Sequence, residues 1–216
     1  MGLSTILGLR PQGFFIPHRY ADAVVPPRRY QALEPIFAAA APALGHLIDA
    51  AARYLPALAA FGNEPPPAPR WTQDWFPRLD GALAYVLARE RKPSRIVEIG
   101  SGHSTRFFAR AIVDGGLPTR HIAIDPAPRA SLAGLSVDWR RATLQDAPRE
   151  IFDTSAPGDF LFVDSSHILV PGSDVDIVVA DLLPRLPAGV LVHFHDVLLP
   201  DGYPPQWGWQ IGRAHV

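Results

Sequence analysis

The apolar run Ile96-Val97-Glu98-Ile99 leads into Gly100-Ser101-Gly102, and a helical pattern begins at Ser104. Glycines at such a turn let the backbone approach a bound ligand closely, and the helix start that follows offers free amide donors. A second apolar run, Ile122-Ala123-Ile124, ends on Asp125. A carboxylate there can accept the hydroxyls of a ribose. The bland alternative is a ligand-free strand–helix turn, with Asp125 merely opening a turn before Pro126. Two other motifs fit poorly. G-x-G-x-x-G needs a glycine where Thr105 stands, and G-x-S-x-G around Ser104 needs one where Arg106 stands.

Another set of chemical groups lies further along. Phe162-Val163-Asp164-Ser165-Ser166-His167 puts a carboxylate at the carboxyl end of an apolar strand, where open α/β sheets bind ligands. His193-Phe194-His195-Asp196 ends another such strand. Side chains alternate along a strand, so His193 and His195 share a face. Asp164, His195 and Asp196 then converge at one edge of the sheet, a donor set able to hold a divalent cation. The alternative is that the acids cap loops and the histidines bond one another. His103, inside the glycine turn, reads as a loop residue rather than a catalyst.

Positioning these groups takes a particular scaffold. Strands are expected at Arg95–Ile99, His121–Ile124, Val137–Ala142, Asp159–Val163 and Gly189–Phe194, with helices at Ser104–Asp114 and Val175–Leu183. Strands alternating with helices predict a Rossmann-like, doubly wound α/β fold, its sheet mainly parallel and covered by helices on both faces. Fully apolar strands such as Phe160-Leu161-Phe162-Val163 suit the buried centre.

Upstream, residues 1–25 read as an irregular aromatic arm around Gly13–Tyr20, packed on the surface or covering a pocket. Leu33, Ile36, Phe37, Leu44, Leu47, Ile48, Tyr54 and Leu58 predict one or two amphipathic helices within residues 29–62. The segment Glu64–Pro69 reads as a stiff linker. A helix from about Trp75 to Arg91, with Leu79, Leu83, Val86 and Leu87 on one face, precedes the first strand. The expected division is 1–70 as a helical extension, 71–210 as the sheet domain and 211–216 as a non-native tail. Trp71, Trp75, Trp207 and Trp209 are packing candidates, and Tyr203 and Trp207 are pocket-lining candidates.

Among 216 residues there is no cysteine, which excludes disulfides, thiolate metal sites and a cysteine nucleophile. A formal net charge of −1 gives no basic excess for a nucleic-acid backbone. No apolar run reads as long enough to span a bilayer, no signal peptide is recognised, and a cytoplasmic location is expected.

Glu98-Ile99-Gly100-Ser101-Gly102 together with Asp125 resembles the first two motifs of class I S-adenosylmethionine-dependent methyltransferases, of the methyltransferase-24-like kind. The resemblance covers about residues 75–205. It implies that S-adenosylmethionine is bound by Glu98, Gly100, Ser101, Gly102, Ser104, Asp125 and Asp164. Leu144-Gln145-Asp146 resembles the adenine-contacting loop of catechol-type O-methyltransferases, which implies that Gln145 lies near the adenine. Metal-dependent members bind magnesium through acids at the ends of the two later strands. That implies metal roles for Asp164 and Asp196, with His195 where an acid or amide is usual. His167 is then the candidate general base; a metal-free site with His167 or His195 as base is the other arrangement. The implied activity is methyl transfer to a small-molecule acceptor, most simply a hydroxyl oxygen. Two rivals remain: a metal-dependent hydrolase using Asp164, His193, His195 and Asp196, and a non-catalytic binding domain of the same fold. Members of the family normally add a terminal hairpin, which is missing here, so the chain reads as truncated, with an exposed fifth strand.

Overall fold

The computed structural model describes residues 2–9, 19–20, 23 and 28–204. They fall into two compact units, one of residues 1–34 with 198–203, the other of residues 35–197 with 204–216. The smaller contains the short helix α1 (Gly2–Ile6) and an isolated antiparallel bridge between Arg29 and Asp201. The Arg29 guanidinium ties that bridge down, pairing with Asp201 and Glu34 at 2.6 Å each. Within Gly13–Tyr20, only Arg19 and Tyr20 are described. Trp207, Trp209 and the 211–216 tail lie outside the described residues.

The larger unit contains the sheet. Strands β1 (Arg95–Ile99), β2 (Arg120–Ile124), β3 (Asp138–Arg140), β4 (Phe160–Val163) and β5 (Leu191–Phe194) pair in the order β3-β2-β1-β4-β5. Every pairing is parallel. The chain therefore reverses its winding direction between β1 and β4, and the crevice at such a switch point is where ligands bind. Each predicted strand is present: β1 has the expected bounds, β2 starts one residue earlier, at Arg120, and β3, β4 and β5 are shorter than expected.

Alternation sorts the side chains into two cores. Ile96, Phe160 and Phe162 face one side, packed with Tyr85, Phe107 and Phe108. Val97, Ile99, Leu161 and Val163 face the other, with Phe152, Val178 and Leu182. Helices α4 (Arg78–Arg91) and α5 (His103–Gly115) cover the first face. The short α6 (Glu150–Asp153) and α7 (Asp174–Ile177) belong to the second, so the sheet is doubly wound as expected. Past α7 the helical path continues as a wide turn through Leu182 and a tight one to Arg185, instead of one regular helix.

Two expectations need correcting. Helix α4 starts at Arg78 rather than Trp75, with Pro77 in an extended conformation as the residue that precedes it. Its buried face is formed by Gly81, Ala84, Tyr85, Val86 and Ala88, whereas Leu79 is 63% exposed. Small residues allow α5 to come close: a Cβ on Gly81 would lie 2.7 Å from the Phe107 ring.

The second correction concerns α2 (Glu34–Ala51) and α3 (Leu55–Ala60). Only the carboxyl end of this run packs on the sheet unit, through Leu47, Ala50, Tyr54 and Leu58. Ile36, Leu44 and Ile48 are 65%, 51% and 58% exposed. The joined run Gln31–Ala60 has 30 residues and a mean hydropathy of 1.3, which by length and composition alone is enough to cross a membrane. The sequence concealed this because prolines and His46 interrupt the apolar run without ending the helical path.

Candidate active site

The glycine turn is held from beneath. Glu98 is fully buried and accepts from Ser104 Oγ at 2.7 Å, while its other oxygen lies 2.7 Å from Nε2 of buried His121. Glu98 and Ser104 thus brace the start of α5 against β1 and β2 and do not line the crevice. Gly100, at φ +86°, must be glycine for a steric reason. A Cβ there would lie 1.7 Å from the carbonyl oxygen of Asp164. The turn is squeezed between the ends of β1 and β4, and this contact brings Asp164 to the same edge.

A crevice of about 390 Å³ opens beside that contact. Gly100 and Ser101 form one wall, Asp125 and Ala127 a second, Gln145 and Asp164 a third. A volume of this size suits a nucleoside-sized ligand. Asp125 points into it. Its Oδ2 accepts from the Ser101 amide at 2.7 Å and the Ser101 hydroxyl at 3.1 Å, and its Oδ1 from the Ala127 amide at 2.7 Å. A carboxylate has about four acceptor positions. These three bonds leave Oδ1 with spare acceptor capacity in the crevice lining. Gln145 donates to the Gly172 carbonyl at 3.0 Å, fixing the far wall. Gly102 and Ser104 lie just behind the turn rather than in the wall.

At the ends of β4 and β5 stands a cluster of charges. His195, 5% exposed, places Nδ1 3.5 Å from Asp164 Oδ1 and 3.5 Å from Asp196 Oδ1. Its Nε2 lies 3.6 Å from Asp80 Oδ2, on the first turn of α4. His167 Nε2 sits 3.3 Å from Asp164 and 3.8 Å from Asp196. Burial alone would lower the pKa of His195, but the carboxylates of Asp164, Asp196 and Asp80 override it and hold the imidazole up at about 11. Burial pushes Asp164 up, and His167 and His195 outweigh it, holding the acid well below the usual carboxylate range. His167 and His195, the two candidates for the general base, thus both stand beside Asp164 and Asp196.

Both His167 and Asp196 adopt a left-handed backbone, each at φ +58°. For residues other than glycine such conformations cost energy and concentrate at functional sites. His193 stays out of the cluster, its ring 4.7 Å from that of Phe162.

The donor set suits a divalent cation. Ligand atoms of Asp164, His195 and Asp196 lie within 4.8 Å of one another. His195 Nδ1 is buried and has no hydrogen bond, since its carboxylate neighbours stand at ion-pair distance. Asp80 is then the outer carboxylate that orients a ligating imidazole through its other nitrogen. The sequence reading missed Asp80, which lies far away in the chain on α4 and carries no local motif. It also missed Arg129, which lines the crevice and stacks its guanidinium 3.9 Å above the Trp75 ring.

A parallel sheet with a glycine turn after β1 and an acid ending β2 is the arrangement in which open α/β folds bind nucleoside ligands. A family model described as a methyltransferase domain matches residues 97–197. Over these residues the chain is similar to that family, which supports a class I S-adenosylmethionine-dependent methyltransferase. No curated protein matches the chain.

Proposed function

We propose that the protein transfers a methyl group from S-adenosylmethionine to a hydroxyl oxygen of a small-molecule acceptor, with a divalent cation at Asp164, His195 and Asp196. The observation that carries this reading is the Asp125 carboxylate, bonded to the Ser101 amide and facing the crevice. Asp125 would accept a ribose hydroxyl, the Gly100–Ser101 backbone would support the amino-acid end, and Gln145 would border the base. The cofactor supplies an already activated methyl group, so what remains for the protein is mainly positioning and removal of the acceptor proton. His167, which stands beside Asp164 and Asp196, is the side chain to receive that proton. A bound cation such as magnesium would lower the pKa of an acceptor hydroxyl. The two carboxylates suit magnesium or manganese, and the histidine suits a borderline metal such as zinc.

The hydrolase alternative loses its fourth ligand, because His193 stacks on Phe162 away from the cluster. A small-molecule acceptor, rather than nucleic acid, fits the balanced charge, and a cytoplasmic location fits the cysteine-free composition. The proposal keeps the chain out of the bilayer: a tight turn at Ala52–Tyr54 interrupts the apolar run, whose carboxyl end packs on the sheet unit.

The test is a panel of hydroxylated sugars, phenols and lipids, incubated with labelled S-adenosylmethionine with and without manganese or magnesium. Label should pass to a hydroxylated acceptor, and His167→Ala should reduce kcat about 100-fold or more. Transfer that is unaffected by His167→Ala would contradict the assigned base.

A further inference from the structure

The amino half of α2 stands clear of the core. Every residue from Glu34 to Leu44 is exposed, and in that stretch Glu34 alone carries a charge. A helix that is apolar all round is normally buried by something. Phe37, Ala41, Leu44 and Ile48 form an exposed stripe along it. They follow one another at four, three and four residues, the 3.5-residue repeat of a helix that packs on another helix. Leu47 and Ala50, which anchor the carboxyl half of α2, lie on a neighbouring side and leave this stripe free.

The stripe is complementary to a copy of itself. Helix α2 is Glu34–Ala51, so its midpoint falls between Pro42 and Ala43. A two-fold axis through that midpoint lays a second α2 antiparallel along the whole length of the first, about 27 Å. Phe37 then meets the second copy's Ile48, and Ala41 meets the second copy's Leu44. The same two pairs recur on the other side of the axis. Large side chains meet at the outer layers and small meets large at the inner ones, which lets facing residues interdigitate. Charged Glu34 falls at the outer end, opposite Ala51. Each exposed amino half thus lies along the anchored carboxyl half of the other chain.

A lipid surface fits the same face less well. Helices that lie in a membrane interface set lysines and arginines beside their apolar side. Between Gln31 and Ala60 the one such residue is Arg53, and Glu90 already pairs with it.

We propose that the protein forms a homodimer through the exposed stripe of α2, with the two helices antiparallel. The seam measures about 27 Å by 10 Å on each chain. That is the small end of specific interfaces, so dissociation in the micromolar range is expected. The dimer stands apart from the methyl-transfer reading, and its test does not depend on activity.

Sedimentation equilibrium of the full chain over roughly 1–100 µM should show a concentration-dependent dimer. Leu44→Glu and Ile48→Glu each change an exposed side chain, so circular dichroism should stay that of the parent. Each should raise the dissociation constant at least about tenfold, because a charge then enters an apolar seam. The sequence has no cysteine, so single introduced cysteines report the register. Phe37→Cys and Ile48→Cys chains, mixed and oxidised, should cross-link to each other. Neither should cross-link to itself, because its own counterpart lies about 16 Å along the pair, beyond disulfide reach. Phe37→Cys joined to itself, with no link to Ile48→Cys, would overturn the antiparallel pairing. A parent that stays monomeric at roughly 100 µM, or a dimer that both glutamate variants leave intact, would overturn the proposal. A monomer that binds phosphatidylcholine vesicles, and releases them in Leu44→Glu, would overturn it in favour of a lipid surface.

Discussion

The crevice around Gly100 and the ionic cluster around His195 share the end of β4, yet they are built by opposite means. The crevice is made by backbone: a glycine pressed against a carbonyl, and a carboxylate held by amide donors at 2.7 Å. The cluster is made by charge, with contacts of 3.3–3.8 Å and an imidazole nitrogen left without a hydrogen bond. Short, satisfied bonds mean that the first region has its final shape before any ligand arrives. Long, frustrated contacts mean that the second is completed by what it binds. Substitutions in the crevice should therefore damage fold and binding together, and those in the cluster should spare the fold.

The largest effect is expected from Gly100→Ala. Its Cβ would occupy the space of the Asp164 carbonyl, and the ends of β1 and β4 would have to part. Stability should fall by about 3 kcal/mol or more, with cofactor binding lost. Calorimetric melting and S-adenosylhomocysteine titration check both, and a variant normal in both would refute the close approach. Next is Glu98→Ala, which strands buried His121 and Ser104. Leaving buried polar groups without their partner costs about 1–3 kcal/mol each, measurable as a shifted denaturant midpoint.

Asp196→Asn sharpens the contrast. Manganese affinity should drop roughly tenfold or more, while S-adenosylhomocysteine affinity and melting temperature stay close to those of the parent. Coupled losses would mean that the two regions are one. The smallest effect belongs to Tyr85, away from both regions. Burial, and then its hydrogen bond to Asp114, raise its pKa from the usual 10.0 to about 12. Its contribution to stability is whole below pH 10 and is lost as pH rises towards 12. Tyr85→Phe should flatten that alkaline fall in melting temperature.

Much of this was legible in the sequence, for identifiable reasons. Strand ends carry their signal locally, so Gly100, Asp125, Asp164 and Asp196 were found by their place at the end of apolar runs. Alternation correctly put His193 and His195 on one face, but it could not foretell that the Phe162 ring keeps His193 aside. Asp80 was invisible as a site residue because its partner, His195, lies on another element. Helix α4 misled by its leucines: close packing on α5 selects small residues for the buried face, and Leu79 points to solvent. In α2 the periodic leucines and isoleucines were seen, but periodicity does not say whether a surface exists to cover them.

Calorimetry with S-adenosylhomocysteine on the full chain and on Asp125→Ala tests the central claim most directly. The account predicts one binding site in the parent chain and an affinity at least about tenfold weaker in the variant, since a charged hydrogen-bond acceptor is removed from the crevice wall. Equal affinity in the two proteins, or no heat of binding in the parent, would contradict it.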